Sequence, residues 1–317
     1  MTVIDKIKNS KSPLFTFEIL PPLKGRNISE IFNVIDQLIE FNPAYVNITY
    51  HQKEVVMKKR DDGLLEKVVM RKRPGTVAIA AAIKNRYKIS VVPHLICGGF
   101  TKESVEEELI DLQFLGVKDL LVLRGDPQKG TRVFIPEENG HTHTSELVEQ
   151  IMDFNKGKFI VGKHYEGMSS DFCVGVAGYP EKHVEAPNLK YDLEMLKLKI
   201  DKGAQYIVTQ MFFDNRKYFS FVKMCREIGI DVPIIPGIKP ISSLNDLKLL
   251  PQIFNIDIPF DLVNEINKCT TNKQVRRVGV EWAVMQSKKL IDFGVPGIHY
   301  YSLGQSDNIK QIAKEIF

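Results

Sequence analysis

Eight short, β-rich apolar runs, each followed by a helical pattern, constrain this chain more than any other feature. They span residues 15–20, 44–50, 90–96, 119–125, 171–179, 205–213, 232–238 and 297–303. Stretches such as LLVLRG and YIVTQMFF are apolar throughout rather than alternating, the pattern of strands covered on both faces in a parallel sheet. The intervening segments carry helical spacing. Val105, Leu109 and Leu112 recur behind a capping Thr101, and Leu189, Leu193, Leu196 and Ile200 recur ahead of a closing Gly203. The alanine-rich stretch 76–84 follows Pro74 and Gly75 and is expected to be a helix capped by Thr76.

Eight β/α alternations in 317 residues match a (β/α)₈ TIM barrel, an α/β fold, read here as a single catalytic domain over 1–317. The rival is a doubly wound sheet, which usually carries GxGxxG after a strand; this sequence has none. The long segment between the last two runs is expected to hold two or more helices.

Several function classes fall away on composition. The net charge is +4, and the densest basic runs, Lys58, Lys59, Arg60 and Arg71, Lys72, Arg73, read as a solvated helix face. No continuous basic stripe with interleaved aromatics suggests nucleic acid. The four cysteines, at 97, 173, 225 and 269, have neither metal-ligand nor CxxC spacing. The first residues lack the apolar core of a signal peptide, and no run is long enough to span a membrane, so the expected location is cytoplasmic.

The strand ends carry the chemistry. They finish in Glu18; Thr49 and Tyr50; His94; Arg124, Gly125 and Asp126; Tyr179; Gln210; Gly237 to Lys239; and Gly304 with Gln305. In a parallel barrel all of these converge on one rim, and polar groups at every strand end suit a large ligand spread across the mouth. Glu18, in FTFEILPP, is either an ion-paired carboxylate or a general acid whose apolar walls keep a proton available. Asp126 either pairs with Arg124 or contacts a ligand, with Gly125 allowing close backbone approach. His94 is a satisfied rim histidine or a donor to a cofactor. Gln210 suits the amide edge of a heterocycle or a structural role. Asp192 and Lys199 share one face of their helix, and Lys239 is a possible Schiff-base amine of a lyase. A non-catalytic ligand-binding barrel is the other alternative.

The strings FEILPP, VNITY, PHLICGG, LVLRGDP, VAGYPEKHVEA, YDLEMLKLKIDKGAQYIVTQMFFD, IIPGIKPIS and HYYSL occur in this order. Together they resemble the methylenetetrahydrofolate reductase family over nearly the whole chain. The resemblance implies a barrel with noncovalent FAD at its mouth, NADH or NADPH as electron donor, and reduction of 5,10-methylenetetrahydrofolate to 5-methyltetrahydrofolate, feeding methionine synthesis. It also implies a homo-oligomer. By motif, Glu18 matches the family's general acid, and Asp126 the carboxylate beside flavin and pterin. Thr49, Tyr50, His94, Arg124, Gly125, Tyr179, His183, Asp192 and Lys199 match flavin contacts. Gln210 matches a folate or nicotinamide contact.

The sequence departs from the family pattern at 155–172, which is longer than usual, and at His143, Leu250 and Gln305, where relatives carry other side chains. It ends at Phe317, soon after the eighth unit, and inhibition by S-adenosylmethionine is not expected.

Overall fold

A computed structural model describes residues 1–128, 131, 133–160, 162, 170–302, 304 and 306–317. A short helix α1 (Val3–Asn9) precedes β1 (Leu14–Ile19), α2 (Ser29–Leu38) and β2 (Tyr45–Ile48). Two further strands, β3 (Glu54–Lys59) and β4 (Leu65–Met70), come before α3 (Thr76–Tyr87) and β5 (Val91–Ile96). The alternation continues through α4 (Lys102–Phe114), β6 (Asp119–Leu123), α5 (Thr144–Asn155), β7 (Cys173–Gly178) and α6 (Leu189–Asp201). Next come β8 (Tyr206–Met211), α7 (Asn215–Glu227) and β9 (Ile234–Ile238). Three helices, α8 (Asp246–Phe254), α9 (Phe260–Asn267) and α10 (Asn272–Phe293), intervene before β10 (Gly297–Tyr301) and α11 (Asp307–Ile316).

Eight of these strands close into a barrel in the order β1-β10-β9-β8-β7-β6-β5-β2, and every pairing around it is parallel. All eight expected runs are therefore strands, with each bound placed to within two residues. Leu303 and Gln305, expected at the last strand end, lie outside the described residues, as do 161 and 163–169 of the long 155–172 segment. The expected helix at 76–84 is α3, but its cap position is Gly75; Thr76 is already helical, and its hydroxyl donates to Glu108 Oε1 at 3.0 Å. Among the described residues no helix is long and apolar enough to cross a membrane.

Alternate residues along each strand face opposite sides, which separates an outer layer of core residues from an inner one. Phe15, Phe17, Ile19, Val46 and Ile48 face the helices. Each such buried side chain contributes about 1.5–3 kcal/mol of transfer free energy. Tyr45, Val92, Leu121, Tyr206, Val208 and Ile235 form a separate cluster inside the barrel, and Val3 of α1 joins it. Helix α1 thus covers the amino-terminal end of the barrel: Val3 N–H donates to Asp119 Oδ1 at 2.7 Å, and Lys6 Nζ to Ala44 O at 2.8 Å.

The basic runs expected on a helix face lie instead on and beside an antiparallel hairpin, β3–β4. The valines at 55, 56, 68 and 69 favour strand. Asp62 and Gly63 make the turn: Asp62 Oδ1 accepts the Leu64 N–H, and Gly63 adopts φ +83°. The two feet of the hairpin reach different loops of the barrel mouth. Gln52 Nε2 donates to Asp126 O at 2.7 Å, whereas Lys24 N–H donates to Lys72 O at 2.7 Å and the Arg73 guanidinium bonds Pro21 O.

Candidate active site

The inward-facing residues become polar toward the carboxyl end of the barrel. Glu18, near the end of β1, is only 5% exposed and sits in register with Asn47 on one side and Tyr301 on the other. Its carbonyl accepts the Ser302 hydroxyl at 2.5 Å. Its carboxylate Oε2 faces His299 Nε2. Behind that ring, Thr16 Oγ1 lies 3.0 Å from His299 Nδ1 and donates to Ile298 O at 3.3 Å. The direction of the Thr16–Nδ1 hydrogen bond follows the tautomer of the ring, and Nε2 is the nitrogen turned toward Glu18.

His94 is buried at the same level, and its Nε2 lies 3.3 Å from Asn47 Nδ2. Burial, with His299 and His51 nearby, pushes the His94 imidazole down to about 3, so the ring is neutral. The amide donates to Nε2, which leaves Nδ1–H as the donor. Thr49 and Tyr50 follow β2. The Thr49 hydroxyl donates to Ile19 O at 3.0 Å, and the Tyr50 ring packs 5.1 Å from Phe100.

A second group gathers across the ends of β6 and β7. Gly125 has φ +88°, and a Cβ there would stand 3.0 Å from Ile96 Cδ1, so the turn requires glycine. Arg124 pairs not with Asp126 but with Glu185, at 2.5 Å, and lies 4.9 Å over the Phe134 ring. Asp126 itself is exposed at the mouth. Tyr179 packs edge-on against His183, with centroids 4.7 Å apart. His183 Nδ1 accepts the Glu185 N–H at 3.2 Å, and the His183 N–H donates to Asp192 at 2.8 Å. Burial, and then Arg124, lowers the His183 pKa.

Lys199 completes this group. Its Nζ donates to Ala177 O at 3.1 Å and lies 5.9 Å from the Tyr179 ring centre. Among the described residues no carboxylate comes within ion-pair distance of it. Burial pushes its amine down to about 8, against the pull of Asp192. A shielded cation without a counter-ion, beside a guanidinium and a glycine turn, fits the phosphates and polar edge of a dinucleotide such as FAD.

The remaining expected residues lie further round the rim. Gln210 Oε1 is taken by the Met211 N–H at 2.9 Å. Lys239 is buried beside Asp246. His143 occupies the cap position of α5, and Leu250 packs into a satellite cluster with Met211 and Phe213.

The sequence reading did not single out Asn47, Gln52, Glu181, Glu185 or His299. Asn47 and His299 had a signal, since each interrupts an apolar strand run. Glu181, in the YPEKH string, accepts the Asp257 N–H at 3.0 Å. Burial pushes its carboxyl up to about 7.

Known proteins similar to this chain share its family and its fold. The Methylenetetrahydrofolate reductase family profile matches residues 3–316. The 5,10-methylenetetrahydrofolate reductase of Escherichia coli is 30% identical over 293 residues, covering 92% of this chain and 86% of that protein. A probable methylenetetrahydrofolate reductase (NADPH) of Caenorhabditis elegans is 28% identical over 315 residues, or 99% of this chain and 43% of that protein. A methylenetetrahydrofolate reductase (NADH) of Arabidopsis thaliana is 30% identical over 316 residues, covering 96% and 48%. The chain thus spans less than half the length of these two eukaryotic relatives. Among solved structures, a Clostridium thermocellum protein that binds two copies of 5-methyl-5,6,7,8-tetrahydrofolic acid superposes with a TM-score of 0.60 at 17% identity. It covers 99% of this chain and 98% of its own, a likeness of fold. On the match over residues 3–316, this chain belongs to the methylenetetrahydrofolate reductase family.

Proposed function

We propose that the protein reduces 5,10-methylenetetrahydrofolate to 5-methyltetrahydrofolate, with noncovalent FAD at the barrel mouth and NADH or NADPH as electron donor. The product would feed methionine synthesis. Four free cysteines suit a reducing, cytoplasmic setting, and the resemblance adds a homo-oligomer. The observation that carries the reading is the buried Glu18 carboxylate at one strand end, facing an imidazole nitrogen that has no hydrogen-bond partner among the described residues, with the Gly125–Asp126 turn on the same rim.

When bound, the flavin would supply the hydride; the protein supplies placement and the proton. The methylene bridge of the substrate joins two nitrogens in a five-membered ring, and hydride attacks it poorly while that ring is closed. Protonation of one nitrogen opens the ring to an iminium cation. Glu18 would hold that proton at Oε2, with His299 Nε2 behind it. The exposed carboxylate of Asp126 would favour the cation electrostatically. Arg124, Gly125, Tyr179, His183, Asp192 and Lys199 would hold the flavin, along with Thr49, Tyr50 and His94. Gln210 would meet the folate or nicotinamide ring.

The test is a visible spectrum of the purified protein, followed by anaerobic addition of NADH or NADPH and then methylenetetrahydrofolate. Flavin bands should bleach with the donor and return with the folate. Glu18→Gln should bleach normally, while its reoxidation slows on the order of 10²–10⁴-fold. A protein that takes up no flavin when FAD is supplied would sink the reading.

A further inference from the structure

A cavity of about 220 Å³ lies between the ends of β9 and β10, walled on its far side by Asn272 and Arg276 of α10 and by Asn308 of α11. It is smaller than the ~300–1,000 Å³ of a site for a drug-sized ligand, and suits a charged terminal group rather than a ring system. Two cations line it. Lys239 is 7% exposed, yet its Nζ lies 3.6 Å from Asp246 Oδ2 and 3.4 Å from Pro240 O. Charge-assisted contacts usually close to about 2.7–2.9 Å, so the ammonium is only loosely engaged.

Asp246 has other commitments. Its Oδ2 accepts the Ser242 N–H at 2.8 Å, and its Oδ1 accepts the Ser243 hydroxyl at 2.9 Å. Arg276 has no carboxylate at ion-pair distance among the described residues. The cavity therefore holds two cations against one carboxylate already satisfied by local donors. Asn308 Nδ2 donates to Ser242 Oγ at 3.1 Å and fixes the loop that carries this arrangement. The cavity opens beside the proposed chemistry, because Ser302, one of its walls, also bonds the Glu18 carbonyl. Loops after the seventh and eighth strands of such barrels frequently hold phosphate.

We propose that this cavity is an oxyanion site in which Lys239 and Arg276 hold a carboxylate or phosphate of a co-substrate. The co-substrate's identity rests on the reductase reading. Under it, two anionic ends are available: the glutamyl carboxylates of the folate and the pyrophosphate of the nicotinamide dinucleotide. Neither cation has a role in the flavin contacts or in the proton step at Glu18.

The test is calorimetric titration of the full-length, flavin-supplied protein with p-aminobenzoyl-triglutamate and, separately, with ADP-ribose. Arg276 is exposed on a helix, so Arg276→Ala leaves the fold intact. It should weaken one probe about tenfold, the factor for losing one charged hydrogen bond. Weakening of the glutamyl probe identifies the folate tail as occupant; weakening of ADP-ribose identifies the dinucleotide. A Lys239→Met, Asp246→Asn pair removes the buried ammonium and its half-buried partner together and should weaken the same probe. Unchanged affinity for both probes in Arg276→Ala, or a wild-type protein that binds neither, overturns the proposal. Glutamyl-probe binding by a protein whose flavin never bleaches would sink the reductase reading while leaving the oxyanion site standing.

Discussion

His299 Nε2 lies 3.9 Å from Glu18 Oε2, and among the described residues that nitrogen has no hydrogen-bond partner. The imidazole is therefore the polar group placed to steady the Glu18 carboxyl group, the proton donor of the proposed reaction. His299→Leu should slow flavin reoxidation by the folate about 10²-fold, the scale of a misplaced catalytic group. Bleaching by the nicotinamide donor should be unaffected. Stopped-flow traces of the two half-reactions would separate these effects; equal slowing of both would mean that His299 serves only the fold.

Lys199 predicts a pH dependence of flavin binding. Its amine titrates near 8 because burial disfavours the ammonium. A bound anion stabilises the ammonium, so binding takes up a proton above that pH. Affinity should be full below about 8 and should decline by up to about tenfold per pH unit above it. Flavin fluorescence titrations between pH 7 and 10 would show this, and Lys199→Met should bind more weakly with a flat profile. A wild-type profile as flat as the variant's would remove Lys199 from the flavin site.

Gly125→Ala should destabilise the fold by about 1–3 kcal/mol, the usual cost of a side chain held in left-handed backbone. The contact at 3.0 Å with Ile96 adds to that strain. Urea unfolding would measure the loss. The altered turn should also reduce flavin content at purification, and a variant with wild-type stability and flavin would contradict the reading.

At the opposite end of the barrel, Asp119 carries a carboxyl pushed up to about 6 by burial, despite the N–H of Val3. Its unfolded value is lower, so the folded state binds more protons between roughly pH 4 and 6. Stability from this group falls as pH rises through that window. Asp119→Asn keeps an acceptor for Val3 and should gain about 1–3 kcal/mol over wild type at pH 7, with the gain vanishing near pH 4. Denaturation at both pH values checks the sign.

The barrel was legible because continuous apolar runs and helical spacing are both set by local sequence. The strand ends were legible for the same reason. The valines and the Asp-Asp-Gly turn of β3–β4 carried a hairpin signal, but the lysines and arginines around them read as a helix face. His299 and Asn47 lie within their strands rather than at the ends, and it is strand parity, not position at the rim, that places them in the lumen. The Arg124–Glu185 pair joins positions 61 residues apart, and no local pattern announces such a contact.

The hairpin's exposed tip, around Asp61 and Gly63, stands on feet that touch the loops after both Glu18 and the β6 turn. A ligand that shifts one loop against the other should tilt the hairpin, with the largest displacement expected at the tip. A fluorophore on a cysteine placed at Asp61 would read occupancy of the barrel mouth from outside it. The hairpin can therefore be used as a gauge, with no label near the reacting atoms.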